Sequence, residues 1–235
     1  AFVRLAPPDP PTPSSALPDV AVVTLDPRSL RALAEWPWPR AYHATAIDRL
    51  DEVGAAAIAF DIDFSANAIA SDDERFAASI ASSGRVALAT FSQTELLEGG
   101  GALEIVNRPI EPLARAARTL GNVLVPIDAD GVVREVPALQ TIGGEPIVSL
   151  ARAAFAIATA PARATSTATA TASAKSSDRS TTASAANARV DYRRAHVPIP
   201  TVAFVDLIER RFAPEALAGR AVFIGATAAE FQDLW

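Results

Sequence analysis

Three aspartates sit where a parallel α/β fold does its chemistry. Asp26 follows the apolar run VAVVTL, and Asp61 and Asp63 follow AAAIAF. Parallel sheets bind ligands outside the carboxyl ends of their strands. If the two runs are neighbouring strands, the three acids share one rim. Hard divalent cations want oxygen ligands, so such a rim admits Mg²⁺ or Ca²⁺. Such acids more often cap loops or pair with arginines, a common role for aspartate at strand ends. A phosphoryl-transfer enzyme would use a similar rim, with a fixed cation against the phosphoryl group. The single lysine, Lys175, lies in an Ala/Thr/Ser tract, which leaves Arg40 or Arg134 for that task. No GxxxxGK[ST], GxSxG or HExxH motif occurs.

The stretch EWPWPR, residues 35–40, holds two of the three tryptophans. Trp36 and Trp38 offer faces for stacking on a ligand, but indoles more often serve as core, each burying roughly 150–250 Å². Arg40 can read a carboxylate or phosphate, or pair with Asp61 or Glu35. His43 falls on the apolar face of the helix that follows, and His196 falls in a loop; two distant histidines do not make a zinc site. GATAA at 225–229 is a weak anion-binding signal, with one glycine. The chain has no cysteine, which excludes disulfides, thiolate chemistry and cysteine-ligated zinc. A net charge of −6 argues against a nucleic-acid partner, which needs a basic stripe.

The elements that must position these residues follow from periodicity. Val20 to Leu25 reads as a buried strand. The proline–tryptophan knot then disfavours helix before each proline, and Pro39 suits a helix start. His43, Ala46, Ile47, Leu50 and Val53 recur at helical spacing until Gly54. Ala55 to Ile62 is a second strand, so a right-handed βαβ unit is expected. Asp72, Asp73 and Glu74 open a helix that runs to Gly84, and Arg85 to Phe91 is a third strand. Residues 98–101 form a glycine-rich loop. Leu120 to Pro126 and Val132 to Leu139 flank DADG, a hairpin signal with Gly131 at positive φ. Helices are expected over Ile147 to Ile157 and Val202 to Phe212, and a last strand over Arg220 to Ile224.

Residues 1–18 are proline-rich and read as an extended tether. Residues 19–235 read as a single domain, with an insertion at about 159–188 too poor in apolar surface to order. The longest apolar segment, Ile147 to Ala160, contains Arg152 and is short of the roughly 20 residues of a membrane span. The N-terminal residues do not have the pattern of a signal peptide. The fold class expected is three-layer α/β, its sheet largely parallel with one antiparallel hairpin.

The order of motifs carries more than any one of them. VVTLDPRSL, EWPWPR, AFDIDFS, DADGVVREVPAL and GRAVFIGATAAEFQD, together spanning Asp19 to Asp233, resemble the second type of CHASE domain. That resemblance implies a sensory module outside the cytoplasmic membrane of a bacterium. It implies flanking membrane helices and a cytoplasmic output such as a nucleotide cyclase or a histidine kinase. It also implies a small-molecule or periplasmic protein partner, no catalysis in this domain and no cofactor, and it is compatible with a homodimer. The candidate ligand-binding residues are Asp26, Trp36, Trp38, Arg40, Asp61, Asp63 and Arg134. A metal, if any, would sit on Asp26, Asp61 and Asp63. The competing readings are a metal-dependent phosphoryl-transfer enzyme on that rim and a structural dimerisation module.

Overall fold

A computed structural model describes residues 20–33, 36–97, 99–160, 187–192 and 198–227. The tether, most of the Ala/Thr/Ser insertion with Lys175, His196 and residues 228–235 lie outside the described residues.

The first half alternates strands and helices. β1 (Val20–Leu25) is followed by a short α1 (Pro27–Ala32) and then α2 (Arg40–Glu52). β2 (Ala57–Asp61), α3 (Ala70–Ser83) and β3 (Val86–Leu96) come next. Gly54 and Gly84 terminate α2 and α3 at φ +74° and +61°, a left-handed turn that glycine adopts without strain. The chain continues through β4 (Ala102–Asn107), α4 (Glu111–Ala116) and β5 (Thr119–Asn122). Four short strands follow around a helix: β6 (Glu135–Val136), β7 (Leu139–Ile142), β8 (Glu145–Val148), α5 (Leu150–Ala158) and β9 (Ala188–Arg189). β10 (Thr201–Ala203), α6 (Phe204–Ile208) and β11 (Ala221–Ala226) complete it.

The main sheet runs β10–β1–β11–β2–β3, with β5 parallel to the first half of β3 and β4 antiparallel to its second half. All pairs among β10, β1, β11, β2 and β3 are parallel. The three-layer, largely parallel architecture expected from the sequence is therefore the one observed. One expectation is corrected: β1 and β2 are not neighbours. β11 lies between them, with Leu25 opposite Ala226 on one side and Asp61 opposite Gly225 on the other. The last strand can insert there because β1 and β2 are joined by a helical crossover, which leaves a gap in the sheet for a later strand.

The two faces of the sheet differ in kind. On one, Val23, Leu25, Ile58, Phe60, Leu88 and Ile224 pack against Ile47 and Leu50 of α2, Phe76 and Ile80 of α3, and Phe204 and Leu207 of α6. On the other, Ala57, Ala59, Ala87 and Ala221 receive Leu150, Ala153 and Ala154 of α5. The period-2 alternation of AIAF sends large residues one way and small ones the other. The alanine face lets α5 come close. Gly121 of β5 shows how close, since a Cβ there would sit 2.5 Å from the Leu150 Cα.

The antiparallel elements fall elsewhere than DADG. The turn itself forms: the Gly131 N–H donates to Asp128 O at 2.8 Å, with φ +80°. Its flanks do not pair, because Thr119–Asn122 are already taken by β3 and β6 pairs with β9. The hairpins are β3–β4, which turns through Gly99 and Gly100, and β7–β8, which turns at Gly143–Gly144. The predicted helices at Ile147 and Val202 each begin later, because Glu145–Val148 and Thr201–Ala203 are strands. Ser149 then caps α5, accepting from the Arg152 N–H.

Candidate functional site

The carboxyl ends of β2, β3, β5 and β11 frame an open cleft of about 400 Å³. Asp61, Ile62 and Asp63 form one side, where the chain leaves β2. Ala89, Phe91 and Gln93 of β3 form the floor and far wall, and Val123, Leu124 and Ala226 close the rest. Gly225 makes room for this arrangement, since a Cβ there would lie 3.3 Å from the Asp61 Cβ.

The two acids of the cleft are in different states. An Oδ1 of Asp63 accepts from the Ser65 N–H at 2.8 Å, fixing the loop after β2. Asp61 opens onto the cleft and, among the described residues, meets no hydrogen-bond donor or cation. The protein around its carboxyl group removes part of its hydration, which raises its pKa above the ordinary carboxylate value.

Asp26 does not join them. Its carboxylate caps α1, accepting from the Ser29 N–H at 2.8 Å. It follows β1, which lies two strand positions from β2, or about 10 Å across the sheet. Among the described residues, no three His, Asp or Glu side chains form a group able to hold a metal ion. The rim imagined for Mg²⁺ or Ca²⁺ on Asp26, Asp61 and Asp63 is thus not assembled.

The tryptophan knot lies at the head of α2, packed into the larger core. Trp38 is 2% exposed and stacks on Phe204, with ring centroids 4.8 Å apart. Trp36 is half-buried and meets Trp38 edge-on at 5.3 Å. Arg40 is buried as well. Its Nε donates to Asp73 Oδ1 at 3.3 Å, its Nη2 donates to Ala66 O at 2.8 Å, and its guanidinium lies 4.6 Å from the Phe64 ring centroid. Burial lowers the pKa of Arg40 and the Asp73 carboxylate opposes that shift. The partner expected from the sequence, Asp61, is not the one used; Glu35 lies outside the described residues. Asp73 also accepts from the Ala68 N–H at 3.0 Å, so one ion pair ties the start of α2 to the loop before α3.

Beneath this pair, His43 is enclosed by the rings of Phe60, Phe64, Phe76 and Phe204. Its Nδ1 is buried without a hydrogen-bond partner. Desolvation, and then the nearby Arg40 charge, lower its pKa to about 3, so it is a neutral core residue.

Arg134 stands apart from both regions. On an exposed turn it donates to Asp128 at 2.6 Å and to both oxygens of Asp130 at 2.8 and 2.6 Å. The conspicuous residues of the sequence therefore divide into core (Trp38, Arg40), its half-buried fringe (Trp36), caps (Asp26) and a turn clamp (Arg134). Asp61 and Asp63 alone line the cleft. Sequence reasoning missed Phe91, Gln93 and Leu124. The signal that would have found them is their place at or beyond the carboxyl ends of parallel strands.

A family model described as the CHASE2 domain matches residues 1–235, the whole chain. No curated protein and no solved structure matches it.

Proposed function

This chain belongs to the CHASE2 domain family, whose members are extracellular-type sensory domains of signalling receptors, and on that premise we propose that it receives a signal on the outer face of a bacterial membrane. In this reading it is held by membrane helices and controls a cytoplasmic output such as a nucleotide cyclase or a histidine kinase. The observation that carries the reading is the family match over the full 235 residues. No helix among the described residues is long and apolar enough to cross a membrane.

The cleft at the carboxyl rim is the place for the signal to act. A ligand shifts an equilibrium only by as much as it binds two arrangements unequally. β11 is hydrogen-bonded to both β1 and β2 and delivers Ala226 to the cleft. A ligand there touches β11, β3 and the loops that follow β2 and β5, so its binding energy bears on how the sheet's strands and helices sit together.

The absence of cysteine gives a direct test of placement. Glu215→Cys, at an exposed position, is introduced into the full-length receptor and intact cells are treated with a membrane-impermeant maleimide. Labelling of the variant, above the level of its parent, is expected. Labelling only after the cells are lysed contradicts the proposal.

A further inference from the structure

The chemistry of the cleft restricts what it can take. Among the described residues its lining carries two carboxylates and one amide, Asp61, Asp63 and Gln93, against an otherwise apolar wall, and no lysine, arginine or histidine. Its volume of about 400 Å³ is that of a small-molecule site, typically some 300–1,000 Å³. A bare metal ion does not fit this lining: hard cations take about six or more oxygen ligands, and among the described residues no three acids converge here. An anionic ligand meets Asp61, which faces no cation among the described residues; the buried Arg40 charge reaches only Asp63.

A ligand with a positive charge meets the opposite situation. Asp61 is partly stripped of water and has no donor or cation among the described residues, so its ionised form is stabilised by any ammonium that reaches it. The Gln93 side-chain oxygen adds an acceptor. Phe91, Ile62 and Leu124 offer the apolar surface that a hydrated inorganic cation would not use.

We propose that the cleft is a binding site for a small organic cation, an ammonium group on an apolar or aromatic body, with Asp61 as its counter-ion and Phe91 and Leu124 against the body. This inference rests on the sensory reading only for its purpose; the binding itself stands on the lining.

The test uses three compounds of one shape and different charge on the 235-residue chain: phenethylammonium, phenethyl alcohol and hydrocinnamate, measured by calorimetric titration at neutral pH. Saturable binding of the ammonium is expected, weaker by at least about tenfold for the alcohol and absent for the carboxylate. Asp61→Asn, with its melting temperature unchanged, should lose at least about tenfold in ammonium affinity, the scale of one charge-assisted hydrogen bond. Leu124→Trp, which fills the cleft, should abolish binding. Failure of the ammonium to bind, equal or tighter binding of the carboxylate, or full affinity in Asp61→Asn each overturns the proposal. Binding of the alcohol as tight as that of the ammonium, or any binding of the carboxylate, that Leu124→Trp removes would overturn the charge assignment and leave the sensory role standing. Failure of the cell-surface labelling would overturn the sensory role and leave the cleft chemistry standing.

Discussion

Acid should unfold this protein through His43. The ring is fully buried among four phenylalanines, its Nδ1 has no partner, and its pKa in the fold is about 3 against 6.5 when solvated. The sign follows from which state takes the proton. Above pH 6.5 the ring is neutral whether folded or not, and stability is unaffected. Below it the unfolded chain binds a proton that the folded chain refuses until about pH 3, so stability falls as pH falls through that window. At 1.36 kcal/mol per unit, the loss is about 2 kcal/mol between pH 7 and pH 5 and approaches about 5 kcal/mol near pH 3. Asp51 and Asp61, whose pKa values burial raises, act in the opposite direction at lower pH. Comparison with His43→Phe cancels those contributions, because both chains carry them. Urea unfolding of the two chains at pH 7 and pH 5 should show the native chain losing about 2 kcal/mol more than the variant. An equal loss in both, or a His43 ring that titrates near its solvated value in the folded protein, would show that the buried ring is not the source of the acid sensitivity.

Other perturbations follow from the same packing. Trp38→Ala should cost about 3–5 kcal/mol in urea unfolding, because it empties the space against Phe204. A variant that instead kept its stability and lost signalling would move the indole to the ligand site. Arg40→Met leaves Asp73 buried beside an apolar side chain and should cost about 3–5 kcal/mol. The double change with Asp73→Asn should cost less than the sum of the single ones, and simple additivity would count against the ion pair. Gly121→Ala drives a Cβ into the Leu150 backbone and should destabilise by about 1–3 kcal/mol. Gly101→Ala, whose added Cβ would lie 3.6 Å from Leu97 Cδ1, should stay within about 0.5 kcal/mol.

The repeating parts of the fold were legible because their causes are local. The Val20–Leu25 strand, the α2 face marked by His43, Ile47 and Leu50, and the glycine stops at Gly54 and Gly84 are all set by spacing within a few residues. Long-range order was not. Nothing near Asp26 or Asp61 announces that a strand some 160 residues beyond Asp61 will lie between them, as β11 does. DADG carries the turn chemistry of a hairpin, and the turn forms, but strand pairing around it is decided by competition for the edge of β3. For the site, charge and aromaticity pointed to residues that serve the fold. Arg40 is conspicuous because burying a guanidinium requires Asp73 and Phe64 together, and Arg134 because two aspartates hold it. Phe91 and Leu124 gave no such sign, since an apolar residue that lines a cleft looks in sequence like one that lines a core.

The claim on which the account turns is that the carboxyl rim of the sheet receives the signal. Amide chemical shifts of the isotope-labelled chain, recorded against a library of small organic molecules, test it most directly. Compounds that bind saturably are expected to move the amides of Asp61 to Asp63, Phe91 to Gln93 and Val123 to Leu124. Binders whose shifts gather elsewhere, around Arg134 or on the outer face of α5, or a library that leaves the rim amides unmoved, would contradict it.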